Sequence, residues 1–303
     1  MQSDMLKVIK ANDGYLITDS ESGFEKLYSV KTNLIDLNSV DSLEELSVYA
    51  IYTWGVEHVN LTGLDVRAIK ETFIQMQRVF DDFPFIKGTL KSVLHKDMQY
   101  MMSFLPVDSM TKGEIYFNSI HYKDISRIEK IYETETLIGG APVGTKFQHA
   151  GIHEMGHLVM LAILNNLHSD SNVVEEHWLT NIETSKIVDE AYDALFNDVT
   201  SVEKLREFVE NSEGMTSAEV AIIFKKFGRV AGKAMLVAEI SSYATEDAHE
   251  AIAESFSDVY GNNDLIVSFG QVIGEAFLDF YSNSINSCVL SKHILQVVNE
   301  RSR

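Results

Sequence analysis

Apolar residues keep one rhythm in the first third of this chain and another in the second half, and that change is the first guide to its architecture. Leu6 to Ala11 has strand character, Asn12-Asp13-Gly14 supplies a turn and Tyr15 to Thr18 returns, which predicts a β-hairpin. Ser42-Leu43-Glu44-Glu45 has the form of a capping box opening a short helix. His58 to Leu61 reads as a strand. Val66, Ile69, Phe73, Met76 and Phe80 then recur at helical spacing, with Pro84 just beyond, so a helix is expected from Asp65 to about Phe80 with this stripe in the core. Strands follow at Leu90 to Leu94, Tyr100 to Phe104 and Glu114 to Ser119, the last bounded by Gly113 and read as a sheet edge.

After the loop Gly139-Gly140-Ala141-Pro142-Val143-Gly144 the pattern turns helical and strand-poor. Helices are expected over Ser185 to Asn197, Val202 to Asn211, Ser217 to Glu239, about Asp247 to Tyr260, and Ser268 to Phe280. A small mixed β-sheet, a helix at its end and a mostly helical second half make an α+β chain.

Composition narrows the function classes. The 303 residues are 45% hydrophobic, ordinary for a globular protein able to bury a full core. The formal charge of −20 argues against nucleic-acid binding, which needs clustered Lys and Arg. Cys288 is the single cysteine, which excludes an internal disulfide and is read as packing. No apolar run reaches membrane-spanning length, and Met1-Gln2-Ser3-Asp4-Met5 opens no signal-peptide stretch. The expectation is synthesis and retention in a cytoplasm, with no membrane partner, unless lysis or a non-classical route releases the protein.

The chemistry is carried by His153-Glu154-Met155-Gly156-His157, an HExxH run. On a helix, residues four apart share a face, so both imidazoles can reach one metal ion. Glu154 lies about 100° round the helix, placed to act on a water beside the ion without ligating it. Such a run arises by chance in about three in a hundred chains of this length and composition, so a third ligand has to be found. The best supplier is the segment from Tyr243 to Phe256, where Glu250 and Glu254 share a helix face and Ala251 and Ala253 allow another helix to come close. One carboxylate would bind zinc and the other would accept a hydrogen bond from the far nitrogen of a ligand histidine. Spacing alone leaves open which does which, and also that both lie on a solvated face.

Taken together, the two segments resemble the gluzincin metallopeptidases, and more narrowly the anthrax lethal-factor-type catalytic domain and its bacteriophage-encoded relatives. In that group an HExxH helix is followed by a Tyr and, seven residues later, by a Glu that starts an E-x-x-x-E helix. Tyr243, Glu250, Glu254 and Phe256 match that pattern without a gap. The resemblance implies a zincin-like fold with Zn2+ held by His153, His157 and Glu250, and Glu254 as the partner of a ligand histidine. It also implies that the Tyr243 hydroxyl reaches the substrate oxyanion or the metal. It extends from near His58 to about Tyr260 and leaves residues 1–50 as an N-terminal hairpin or appendage to a peptidase domain over 51–303. The stretch between His157 and Glu250 is longer than the group leads one to expect, which implies a helical insertion at about 170–240.

Other histidines compete poorly. His149 and His157 would be about 12 Å apart along a helix axis, too far for one ion, so His149 is read as a helix-start residue near the cleft mouth. His249 points about 100° away from Glu250 and is assigned to the surface; His177 and Trp178 are assigned to packing. No G-x-S-x-G, P-loop or C-x-x-C pattern is present.

The expected activity is zinc-dependent hydrolysis of a protein or peptide substrate, with Glu154 as proton acceptor and Tyr243 as donor to the oxyanion. The strand Gly113 to Ser119 is expected to hold an extended substrate by strand addition. A phage-particle structural or assembly protein that keeps the fold, active or not, is the alternative, with other phage structural proteins as partners; a delivered toxin or effector peptidase ranks last.

Overall fold

In the computed structural model, the described residues are 36–197, Val237, Ala238, 240–261 and 269–284, with the backbone of the short segments 7–11, 14–19 and 24–29. Strands β1 (Lys7–Ala11), β2 (Gly14–Asp19) and β3 (Phe24–Ser29) pair antiparallel in that order. The expected hairpin therefore continues into a third strand, Phe24↔Asp19 through Ser29↔Gly14.

Helix α1 (Leu43–Tyr49) starts as its sequence predicts, with the Ser42 hydroxyl accepting from the Glu45 N–H at 3.2 Å. The return arm of the box lands one residue early, since the Glu45 carboxylate accepts from the Asp41 N–H. A π-helical turn, Ala50–Trp54, continues α1 and ends on Gly55 in the left-handed region at φ 77°. Leu37, Val40, Leu46 and Tyr49 share one core with buried residues from Trp54 to Tyr281, so that core begins ahead of residue 50.

The main sheet holds β4 (His58–Val59), β5 (Leu90–Lys96), β6 (Met102–Val107) and β7 (Lys112–Asn118), in the order β4-β5-β7-β6. β4, β5 and β7 run parallel, and β6 pairs antiparallel with β7. The sequence reading of Gly113 to Ser119 as a sheet edge is corrected here: β7 is an inner strand, and among the described strands the edge on that side is β6. Burial fits, because Ile115 and Phe117 are fully covered while Leu105 on β6 is 47% exposed.

Helix α2 (Val66–Asp82) buries Ile69, Phe73, Met76 and Phe80 as expected. Asp65 caps it through the Arg67 N–H and also accepts from the Ile125 N–H at 3.1 Å, which ties its start to α3 (Ile125–Leu137). Helix α4 (Ala150–Leu167) is buried on nearly all sides from Gly151 to Leu164, as a helix apolar all round must be. Then come α5 (Ser171–Thr180), α6 (Ile182–Asn197), α7 (Ala248–Gly261) and α8 (Phe269–Ser284). The expected helices Val202 to Asn211 and Ser217 to Glu239, and with them much of the insertion assigned to about 170–240, lie outside the described residues, save Val237 and Ala238. The described chain is thus mixed α+β, with a small four-stranded mixed sheet and a helical second half. No described helix is long and apolar enough to cross a membrane.

Candidate metal centre

Two glycines on α4 decide what that helix can touch. A Cβ on Gly151 would lie 2.6 Å from Thr72 Cγ2 of α2, and one on Gly156 would lie 3.2 Å from the Ala253 Cα of α7. The middle of the HExxH run is therefore where α7 rests directly on α4, with Ala253 as the facing small residue. This close crossing brings Glu250 and Glu254 to the histidines.

The result is a tight buried cluster. His153 Nε2 and His157 Nε2 are 3.2 Å apart, and Glu250 Oε2 lies 3.0 Å from the first and 3.4 Å from the second. Four ligands arranged tetrahedrally at about 2.0–2.1 Å from a zinc ion sit about 3.3–3.4 Å from one another, so this triangle already has the size a zinc ion needs. The donor set of two imidazoles and one carboxylate suits the same ion, and the three atoms fit a metal group. The other nitrogen of His153, Nδ1, is 2.6 Å from Glu254 Oε1, which fixes the ring with Nε2 towards the centre. His157 has no such partner among the described residues; its Nδ1 is buried without a hydrogen bond. Its ring is held by packing instead, stacked on Phe104 at 5.9 Å. Gly113 makes room for that, since a Cβ there would fall 2.2 Å from the Phe104 ring.

Electrostatics follow from burial and charge. Burial lowers the pKa of His153, but the carboxylates of Glu250 and Glu254 outweigh it and hold it well above the ordinary value. Burial pushes the Glu250 carboxyl up, and His153 and His157 more than reverse this, keeping it ionised. Glu154 is 6% exposed, and burial raises its pKa against the pull of His153 and His157. A carboxylate so placed is a better proton acceptor than one in water. Tyr243 opens a 3-10 turn, Tyr243–Thr245, and its ring centroid is 5.7 Å from that of His153. Burial and the charges of Glu250 and Glu154 raise its pKa, so the hydroxyl stays a donor.

One side of this cluster opens. A cleft of about 480 Å³ is lined by His153, Glu154, Tyr243 and Glu254 together with Tyr100, ahead of β6, and Met102, its first residue. The structure thus gathers His153, Glu154, His157, Tyr243, Glu250 and Glu254, all of the residues singled out in the sequence.

Two neighbours differ from expectation. His249 is not at the surface: it is buried, and its ring stacks on Trp178 at 4.3 Å, while burial and the charge of His157 bring its pKa down to about 4. The reason is that α7 is covered on this side as well, so the direction 100° from Glu250 meets α5 rather than solvent. His149 does stand at the start of α4, but buried rather than at a cleft mouth, with Nδ1 accepting from the Lys146 N–H at 2.8 Å. Trp178 packs as expected, against Phe104, His157 and His249. His177 instead joins His168 and Glu183, a grouping that no sequence spacing announced.

No protein-family model matches this chain, and no curated protein or solved structure matches it significantly.

Proposed function

We propose that this chain is a zinc-dependent metallopeptidase of the zincin-like, gluzincin kind, as its resemblance to the lethal-factor-type domains implies. The observation that carries the reading is the triangle of His153, His157 and Glu250, with Glu154 buried beside it and open to a cleft. A carboxylate distant in sequence that lies within 3.4 Å of both imidazoles supports this reading over an accidental five-residue match.

Held by those three side chains, zinc would lower the pKa of water towards about 7 and polarise a peptide carbonyl. Glu154 takes the proton from the attacking water and passes it to the leaving amine, which its raised pKa favours. Tyr243, neutral at working pH, donates to the developing oxyanion. Glu254 keeps His153 oriented. An extended peptide would be held by strand addition to β6, which among the described residues has a strand neighbour on one side only and whose first residue, Met102, lines the cleft.

The test is zinc analysis of the purified chain joined to an unbiased peptide-library digest, for the native protein and Glu154→Gln. Native protein should hold zinc and cleave; Glu154→Gln should hold zinc and cleave nothing. A native chain that folds, binds zinc and leaves every peptide intact would be an inactive scaffold and would overturn the proposal.

A further inference from the structure

At the far end of the motif helix, three side chains from three helix ends converge. His168 is the C-cap residue of α4, His177 lies in the last turn of α5, and Glu183 is the second residue of α6. Glu183 Oε1 is 2.5 Å from His177 Nδ1 and 3.4 Å from His168 Nε2. The two rings are 4.4 Å apart at 63°, and one ligand atom from each of the three side chains lies within 4.8 Å of the other two. The turn between α5 and α6 makes this possible: Asn181 adopts the left-handed conformation at φ 54°, reversing the chain so that Glu183 returns to His177.

A hydrogen-bonded cluster would account for Glu183 Oε1. It does not account for the other oxygen, Oε2, which is buried without a hydrogen-bond partner among the described residues. A carboxylate oxygen shielded from water and left unpaired is costly, and a cation is one way to cover it. We propose that His168, His177 and Glu183 form a second metal site, which takes a divalent first-row transition ion such as zinc and fastens the α4–α5–α6 corner.

The chemistry suits that ion class: two imidazoles and a carboxylate are borderline ligands that discriminate against calcium and magnesium. The side chains are 25%, 21% and 14% exposed, so an ion can enter from solvent and water can complete its shell. His168 follows His157 by eleven positions, about 16 Å along the helix axis, so the two sites cannot share an ion. The role is positional. α5, pinned at His177, carries Trp178 against His157 of the first cluster and against His249 beside it.

This inference does not depend on the peptidase reading, and one experiment separates them. Full-length protein is stripped with chelator, reloaded with zinc, dialysed and assayed for bound metal. Native protein should hold two equivalents; His153→Ala/His157→Ala should hold one, and so should His177→Ala and the milder Glu183→Gln. Combining the histidine pair with Glu183→Gln should leave none. The proposal is overturned if His153→Ala/His157→Ala holds no zinc, or if its zinc survives Glu183→Gln. Should the multiple variants misfold, native protein and Glu183→Gln loaded with cobalt decide the matter. One equivalent fewer and weaker visible absorption in Glu183→Gln support the site, and identical loading and spectra refute it. A native chain with one equivalent, lost on Glu183→Gln, would keep this site and remove the first.

Discussion

Gly156 is the position where the two halves of the metal centre are held in register, and replacing it separates metal affinity from stability. A methyl group at Gly156 would sit 3.2 Å from the Ala253 Cα, 3.4 Å from the Phe256 ring and 3.6 Å from the Ala253 Cβ. Carbon atoms prefer about 3.5–4.0 Å, so α7 must retreat from α4 by roughly half an ångström. Against that strain stands helix propensity: Ala is better than Gly inside a helix by about 0.8–1.0 kcal/mol. The two effects are of similar size, so Gly156→Ala should fold with a Tm within a few degrees of native.

The metal is less tolerant. Ligand distances need to hold within about 0.2 Å, and both Glu250 and Glu254 ride on the helix that moves. A displacement of this kind resembles the loss of a partner that orients a ligand, which typically costs 10–100-fold in affinity. Zinc affinity of Gly156→Ala should therefore fall by about that factor, and that of Gly156→Val by more. Competition with a chromophoric chelator measures the affinity, and thermal unfolding of the metal-free proteins measures the stability. If Gly156→Val folds and binds zinc as tightly as native protein, close contact of α4 with α7 does not set the site, and the reasoning fails.

Other substitutions test the remaining parts. Glu254→Gln keeps the shape but weakens the hold on His153, and should lower zinc affinity about 10–100-fold while retaining the fold; unchanged affinity would remove Glu254 from the centre. Tyr243→Phe should keep zinc and slow peptide cleavage by about 100-fold in kcat, the loss usual for one oxyanion donor, and an unaltered rate would cancel that role. His149, with its pKa lowered from 6.5 to about 4 by burial and then by Arg78 and Lys146, refuses a proton that the unfolded chain accepts. Its contribution makes stability fall as pH drops from about 6.5 towards 4, by about 2 kcal/mol at pH 5. Urea unfolding at pH 7.5 and pH 5 should show a smaller loss for His149→Gln than for native protein, and equal losses would contradict it.

Much of the site could be read from the sequence because it is written in local spacing. Four-residue intervals on two helices put His153 with His157 and Glu250 with Glu254, and the small residues Gly156 and Ala253 let those helices meet. What escaped reading depends on what lies across from a residue. Strand order is such a property: β7 alternates as an edge strand would, and only its pairing with both β5 and β6 reveals it as inner. Helix α3 was missed because its Glu- and Thr-rich surface leaves only Ile125, Ile128 and Tyr132 buried, too short a stripe to stand out. The corner of His168, His177 and Glu183 joins three helix ends, where no period operates. His249 was misassigned since angle on a helix fixes direction, not what waits there.

Charge balance adds a reason for a dication at the motif helix. Glu154, Glu250 and Glu254 are gathered with two histidines in largely buried space, and buried carboxylates that lack compensation are strongly unfavourable. Without metal, a proton on His153 offsets one of the three charges, which is why its pKa stands so high between Glu250 and Glu254. A divalent ion offsets two and needs His153 neutral, so it takes the place of that proton. Glu250 is then committed to the ion and Glu254 to the His153 ring. Glu154 and Glu254 both line the cleft, and with Glu254 engaged by the His153 ring, Glu154 is the carboxylate left for the proposed role of proton acceptor.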